Sequence, residues 1–171
     1  MHPLLHLKAV LLIEPGVMQI RPAATGDLDT IVSFNRRLAE ETENIILDEA
    51  VLARGVKALL DDQDKGRYYI ATNEDSEILG QLMITFEWSD WRNGMIWWLQ
   101  SVYVEKAARR QGVFSALVNE IRRLASVDAD VCGIRLYVEK NNQYARETYH
   151  ATGFDVAGYD VMEWMKPAGE R

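Results

Sequence analysis

Trp97 to Ala125, WWLQSVYVEKAARRQGVFSALVNEIRRLA, changes character in its middle. Trp97, Trp98, Leu99, Val102, Tyr103 and Val104 are aromatic, β-branched or aliphatic, dense enough for a mostly buried strand. Val113, Ala116, Leu117, Ile121 and Leu124 then recur at three and four residues, with Asn119, Glu120, Arg122 and Arg123 off that stripe, which predicts an amphipathic helix. Between the two lies Ala107-Ala108-Arg109-Arg110-Gln111-Gly112. A strand, a basic turn with one glycine and a helix make a phosphate-binding layout. The first amides of a helix have no internal partner, and the helix dipole favours an anion there. Gly112 leaves room for a phosphate to approach the backbone. The same residues also read as a tight turn with two solvated arginines, and one glycine does not decide between the two.

Outward from this stretch, the chain reads as one mixed α/β unit. Gln19 to Ala23 is a first strand stopped by Pro22. Thr25-Gly26-Asp27 is placed to cap a helix whose inner face carries Ile31, Phe34, Leu38 and Asn35. That helix ends in the acidic run Glu40 to Glu43. Leu47-Asp48 opens a second helix through Leu60, with Val51, Leu52, Val56 and Leu59 inward. Three strands follow: Arg67 to Thr72, Glu77 to Trp88 with Gly80 as a bulge candidate, and Met95 to Val104. Asn93-Gly94 marks the hairpin loop between the last two. A strand–helix crossover then leads to a strand at Ile134 to Val138, and Phe154 to Trp164 supplies the last strands. No repeat, linker or low-complexity tract divides residues 18–171, so they are read as a single domain.

Residues 1–17 are set apart as an N-terminal extension. Leu4 to Ile13 is apolar but interrupted by His6 and Lys8. It is too short for a membrane span, and it lacks the basic start and small-residue cleavage site of a signal peptide. It reads either as an extra strand or edge-covering segment, or as sequence preceding a natural start at Met18.

The chain has 171 residues, of which 48% are apolar, enough for one sizeable core. A net charge of −7 disfavours a nucleic-acid partner, since the only basic clusters are Arg109-Arg110 and Arg122-Arg123. The single cysteine, Cys132, cannot form an internal disulfide, which fits a reducing cytoplasm. Its apolar setting predicts a buried, inert thiol. No metal site and no membrane association are expected.

Residues 134–154, IRLYVEKNNQYARETYHATGF, add a second motif. With Asn142, Ala145, Tyr149, Gly153 and Phe154 in place, the chain resembles the GNAT superfamily of acyl-CoA-dependent N-acetyltransferases, whose later signature is Asn-x-x-Ala-x-x-x-Tyr-x-x-x-Gly-Phe. The earlier signature, Arg/Gln-x-x-Gly-x-Gly/Ala after a valine-rich strand, is met by Arg109-x-x-Gly112-x-Phe114, with Phe114 in place of the second small residue. The likeness extends from about Ile20 to Trp164. It implies a mostly antiparallel sheet flanked by helices, with acyl-CoA held where two central strands splay apart. It implies acetyl-CoA as co-substrate, a small-molecule or peptide amine as acceptor, and a homodimer as a common assembly.

Several roles follow from that likeness. The turn and first helical residues Arg109, Arg110, Gln111, Gly112, Val113, Phe114 and Ser115 would take the pyrophosphate. Val102 and Val104 would hydrogen-bond pantetheine through their main chain, as an added strand. An amide near Gln100 to Val102 would face the thioester oxygen if a bulge frees it. Asn142 would anchor the pantetheine or a water, doubling as a helix cap, and Ala145 belongs to the same cofactor-binding motif. Tyr149 would protonate the departing thiolate. Glu87, flanked by Phe86 and Trp88, is the candidate base, a carboxylate among aromatics that attracts an amine; a plain outward-facing strand residue is the alternative. Glu41 is a weaker candidate for acceptor binding. The four tryptophans from Trp88 to Trp98 read as core and loop packing, or as an aromatic acceptor pocket. The activity implied is acetyl transfer from acetyl-CoA to a primary amine by direct attack. The rivals are an acyl-CoA sensor without turnover and a doubly wound nucleotide-binding protein, the latter opposed by the missing second and third glycines.

Overall fold

The segments Gln19–Pro22 (β1), Arg67–Thr72 (β2), Ile78–Ser89 (β3), Gly94–Val104 (β4) and Val131–Leu136 (β5) form one sheet in the order of the chain, β2 to β4 being rich in β-branched and aromatic residues. This computed structural model describes residues 18–166. The extension, with His2 and His6, lies outside the described residues. The chain divides after Tyr137 into two compact units. β1 to β4 pair antiparallel, and β5 joins β4 in parallel. A parallel pair needs a crossover. Helix α3 (Val113–Val127) provides it.

The period-two alternation of the strands decides what covers each face. On one face, Tyr68 and Met83 meet helices α1 (Leu28–Glu43) and α2 (Glu49–Asp61) in a cluster with Ile31, Val32 and Val56. Gly80 lies on the other face, where α3 buries Val113, Leu117, Val118 and Ile121. Leu117 and Ile121 are fully buried, each worth roughly 1.5–3 kcal/mol of apolar burial. The result is the expected GNAT-like mixed α/β sheet with helices on both faces.

Gly80 is a steric necessity at the contact between β3, β4 and α3. A Cβ there would sit 2.8 Å from the Tyr103 carbonyl oxygen and 3.0 Å from Val113 Cγ1. Gly80→Ala is therefore expected to destabilise the protein by about 1–3 kcal/mol, which lowers Tm by roughly 2–4 °C per kcal/mol for a chain of this length. A thermal melt unchanged from wild type would show that the strands shift apart freely at this point.

Several expectations are corrected. Asp27 stands at the N-cap position of α1, but its side chain does not bond to the helix. Its carboxylate accepts from the Ala24 amide at 2.7 Å and from both Arg21 Nη atoms at 2.8 and 2.9 Å. The cap of α2 is Asp48, which accepts from the Val51 amide at 2.9 Å. Val51 itself is exposed, because Leu52 and Val56 already fill the inner face. Cys132 is exposed rather than buried, since it lies near the start of β5, the edge strand of the described sheet.

In the second unit, helix α4 (Gln143–Ala151) follows an Asn142 cap. The strands expected over Phe154 to Trp164 are absent among the described residues. Alternation gives a segment the side-chain pattern of a strand, but a strand also needs a ladder partner, and residues 154–166 have none. Tyr159, Val161, Met162 and Trp164 are exposed.

Candidate functional site

β4 has two edges, and they part company at Leu99. Its pairing with β5 runs from Met95↔Val131 to Leu99↔Leu136 and stops, leaving Gln100 to Val104 without a strand on that side among the described residues. On the other edge the register slips. Met83 pairs Gln100 and Gln81 pairs Tyr103, so Ser101 and Val102 together face the single residue Leu82. This is a β-bulge, and Ser101 carries its left-handed backbone at φ 49°. The sequence made an amide near Gln100 to Val102 conditional on such a bulge; the bulge is there.

A chain of buried polar groups holds the bulge from beneath. Gln81 Nε2 donates to the Ser101 carbonyl at 3.3 Å and to Asn35 Oδ1 at 2.7 Å. Asn35 Nδ2 donates to the Tyr68 hydroxyl at 2.8 Å, and that hydroxyl also meets Ser101. Burial raises the Tyr68 phenol above its ordinary value, against the effect of these hydrogen bonds. Gln81 is fully buried. Its partner on α1 is 46 positions away, so no local pattern foretold the link, although a polar Asn35 among the inward residues of α1 was a sign of it.

The turn after β4 is tied to the end of α1. Glu105 accepts from Arg37 Nη1 at 2.5 Å. Arg109 donates from Nε to the Val104 carbonyl at 3.0 Å and from Nη2 to Glu41 Oε2 at 2.7 Å. Glu41 also accepts from the Tyr103 hydroxyl at 3.1 Å and lies 3.3 Å from Lys106 Nζ. Desolvation of the Glu41 carboxyl is outweighed by these donors, so its pKa lies below the usual carboxylate value. Arg109 is thus engaged with Glu41, and its Nε occupies the Val104 carbonyl. Glu41 serves as the anchor of that turn.

Arg110 and Gly112 both take left-handed backbone, at φ 64° and 82°. Gly112 is the N-cap of α3, and no side chain caps the helix. A Cβ at Gly112 would meet nothing within 4 Å. The first amides of α3, from Val113, Phe114 and Ser115, therefore have no capping side chain and open ground in front of Gly112. Gln111 bonds back to the Ala107 carbonyl at 2.8 Å and tightens the turn.

Glu87 lies on the same sheet face as Thr85, Trp98 and Gln100. Its carboxylate accepts from Trp98 Nε1 at 2.5 Å and from Arg135 Nη1 at 3.0 Å. Trp98 stacks on Tyr137 with ring centroids 4.4 Å apart, and the Arg135 guanidinium lies 5.7 Å over its ring. The tryptophans divide three ways. Trp97 is buried against Phe86 on the opposite face. Trp98 belongs to the polar shelf with Glu87, and Trp88 and Trp91 are exposed at the hairpin end. Sequence reasoning missed Arg135, whose pairing with Glu87 spans two strands.

In the second unit the Asn142–Phe154 motif is a helix closed at both ends. Asn142 Oδ1 accepts from the Ala145 amide at 3.0 Å, which is the capping role foreseen for it. Gly153 turns left-handed at φ 86° to stop the helix. Phe154 then returns its amide to the Tyr149 carbonyl at 3.1 Å and its ring edge-on to Tyr149 at 5.8 Å. Burial pushes the Tyr149 phenol up to about 12. His150 is exposed, 3.8 Å from Asp155.

Among the described residues, no helix is long and apolar enough to cross a membrane, and no group of three or more His, Cys, Asp or Glu is placed to hold a metal ion.

Comparison with known proteins agrees with this arrangement. The family model described as Acetyltransferase (GNAT) family matches residues 32–154. A structure described as that of "a possible acetyltransferase from Clostridium difficile 630" is 46% identical, with a TM-score of 0.83 over 88% of this chain and 99% of that one. A transcriptional regulator from Bacillus halodurans C-125 is 25% identical, with a TM-score of 0.71 over 88% of this chain and all of its own (100%). The mycothiol acetyltransferase of Mycolicibacterium gilvum (strain PYR-GCK) is 28% identical over 102 residues, 57% of this chain. The match spans only 32% of the length of that curated relative.

Proposed function

The chain belongs to the GNAT family of acetyltransferases, and from that premise we propose that it transfers the acetyl group of acetyl-CoA to a primary amine by direct attack. The observation that carries the reading is the end of β4. There the strand leaves β5, bulges at Ser101 and runs into an uncapped helix N-terminus. Those features suit a thioester on a phosphate-bearing arm. The free β4 edge at Val102 and Val104 pairs with the amide groups of pantetheine, Val104 through the groups that Arg109 leaves available. The amides of Val113, Phe114 and Ser115 take the pyrophosphate, with Arg110 beside them and Gly112 giving access. Arg109 and Gln111 shape the turn from within it. An amide at the bulge stabilises charge on the thioester oxygen.

In the reaction, the amine nitrogen forms a bond to the thioester carbonyl carbon while the carbon–sulfur bond breaks. The sulfur takes a proton from Tyr149, and the amine gives one up. Asn142 and Ala145 set the helix that carries Tyr149. Glu87 is the candidate to draw in the ammonium and receive its proton, a transfer that weakens its pairing with Arg135. Glu87→Gln keeps the shape and removes the charge. It is expected to raise KM for the amine several-fold or to shift the lower limb of the pH–rate profile, with acetyl-CoA binding unchanged. Identical acceptor kinetics and pH profile would reduce Glu87 to a structural partner of Arg135 and Trp98.

The direct test is release of free thiol from acetyl-CoA across a panel of amines. Thiol release that depends on one amine class, with the acetylated amine identified by mass spectrometry, is the expected result. Tight acetyl-CoA binding with no thiol release for any amine would make the protein a sensor instead.

A further inference from the structure

The space between α1, α2 and the sheet is a cavity of about 390 Å³, within the range of small-molecule sites. Its walls are apolar: Leu38, Ile45, Leu52, Val56, Leu59 and Met83. Its polar lining is Asn35, Tyr68 and Ser101, the neutral groups that support the bulge, and Glu43 is the single charged side chain among the lining residues. Glu43 is exposed, with no ion-pair partner among the described residues.

Gly55 explains why this space is open. It is the middle residue of α2 and lines the cavity beside Leu52, Val56 and Leu59. Glycine weakens a helix interior, so a reason for it is needed. Backbone conformation supplies none, since Gly55 has no positive φ. Packing supplies none either, since a Cβ at this position would meet nothing within 4 Å. Gly55 is exposed, so it stands at the open edge of the cavity, and the missing side chain leaves that edge unobstructed.

We infer that this cavity takes the body of the acceptor, and that the acceptor is a monoamine borne on an apolar group about the size of a large aliphatic or aromatic side chain. The inference rests on the acetyl-transfer reading and names its substrate class. Ser101 lines the cavity and forms the bulge, so a molecule seated here has its polar end beside β4. Glu43, the one charged side chain of the lining, complements an ammonium as it enters, and Glu87 remains the carboxylate proposed to receive its proton. A polycation would have to lay further charges against apolar walls with nothing to pair them, at a high desolvation cost.

The test uses 2-phenylethylamine as the apolar monoamine and spermidine as the polycation, each with wild type, Gly55→Leu and Gly55→Ala. Wild type is expected to bind 2-phenylethylamine by calorimetry in the presence of CoA, and to acetylate it with kcat/KM at least about tenfold above that for spermidine. Gly55→Leu places a side chain at the open edge of the cavity and obstructs it. It is expected to lower kcat/KM and affinity for 2-phenylethylamine about tenfold or more, while acetyl-CoA KM is unchanged and Tm is equal or higher because a helix-weakening glycine is gone. Gly55→Ala adds one methyl group and is expected to fall between the two, which keeps the test in place should the leucine variant misfold. Undiminished 2-phenylethylamine kinetics and binding in both variants overturn the inference. So does acetylation of spermidine without binding of 2-phenylethylamine, a result that leaves acetyl transfer itself standing. Binding of 2-phenylethylamine to wild type and not to Gly55→Leu, with no thiol released for any amine, upholds the cavity and removes the acetyl-transfer reading.

Discussion

Replacing Tyr149 by Phe is expected to lower kcat by about 10²-fold, the low end for loss of a general acid, while acetyl-CoA affinity and the fold survive. The ring stays, and with it the edge-on packing against Phe154. Only the proton donor is deleted. Burial holds the phenol at about 12, so it remains protonated at every pH in ordinary use, the state that the proposed proton transfer to the departing thiolate requires. A group with that pKa cannot produce a downturn in kcat on the way to pH 10; a downturn there belongs to another group. The same shift has a stability side. A phenol whose pKa is raised on folding stabilises the native state fully below its unfolded value, about 10. That contribution is lost as pH climbs through about 12. Denaturant unfolding at pH 9 and pH 11 should therefore show a larger loss in wild type than in Tyr149→Phe. A Phe variant with wild-type kcat would make Tyr149 a packing residue and leave the proton to water.

Gly112→Asp is expected to weaken CoA binding by at least about tenfold, roughly 1.4 kcal/mol. The aspartate puts a carboxylate in front of the uncapped amides of α3, where the proposed pyrophosphate lies. It also gives the helix an N-cap of its own, so the site competes with itself for those amides. Position 112 has φ 82°, which strains any residue with a Cβ, and Gly112→Asn separates that strain from charge. Asparagine tolerates the left-handed region about as well as aspartate does but carries no charge. Calorimetry should rank affinity as glycine first, asparagine second and aspartate last. Equal affinity for the asparagine and aspartate variants would show that no anion sits at this turn.

How far the sequence could be read depended on whether the information was local. Arg67–Thr72 was legible to the residue because RYYIAT is a short apolar run between turn residues, and the helical stripe from Val113 onward was equally plain. β5 was expected at Ile134 to Val138 and begins at Val131 instead. Its limits are set by parallel pairing with Met95 to Leu99, which no local pattern records. The glycine turn before α3 and the Asn142–Phe154 helix were readable as local structure, since their glycines and cap lie within a few residues of the helix ends they form. The engagement of Arg109 by Glu41 was not, because the two are 68 positions apart and an arginine beside a glycine looks the same whether it faces a ligand or a carboxylate. Gly55 carried no readable meaning either. A glycine within a helical pattern becomes informative only when the space in front of it is seen.

Helix α1 touches both halves of the arrangement around β4. Through Asn35 it supports the bulge and borders the cavity; about one and two-thirds turns later, through Glu41, it holds Arg109 and the turn before α3. A single helix that contacts two proposed binding regions is a lever between them. If occupancy of the cavity changes the position of α1 and so the affinity of the turn for CoA by some factor, CoA must change affinity in the cavity by the same factor, because binding free energies around a closed cycle sum to zero. The size of that factor is a property of the helix and its two grips, and Glu41→Gln, which loosens one grip without entering the cavity, is the change that would reset it.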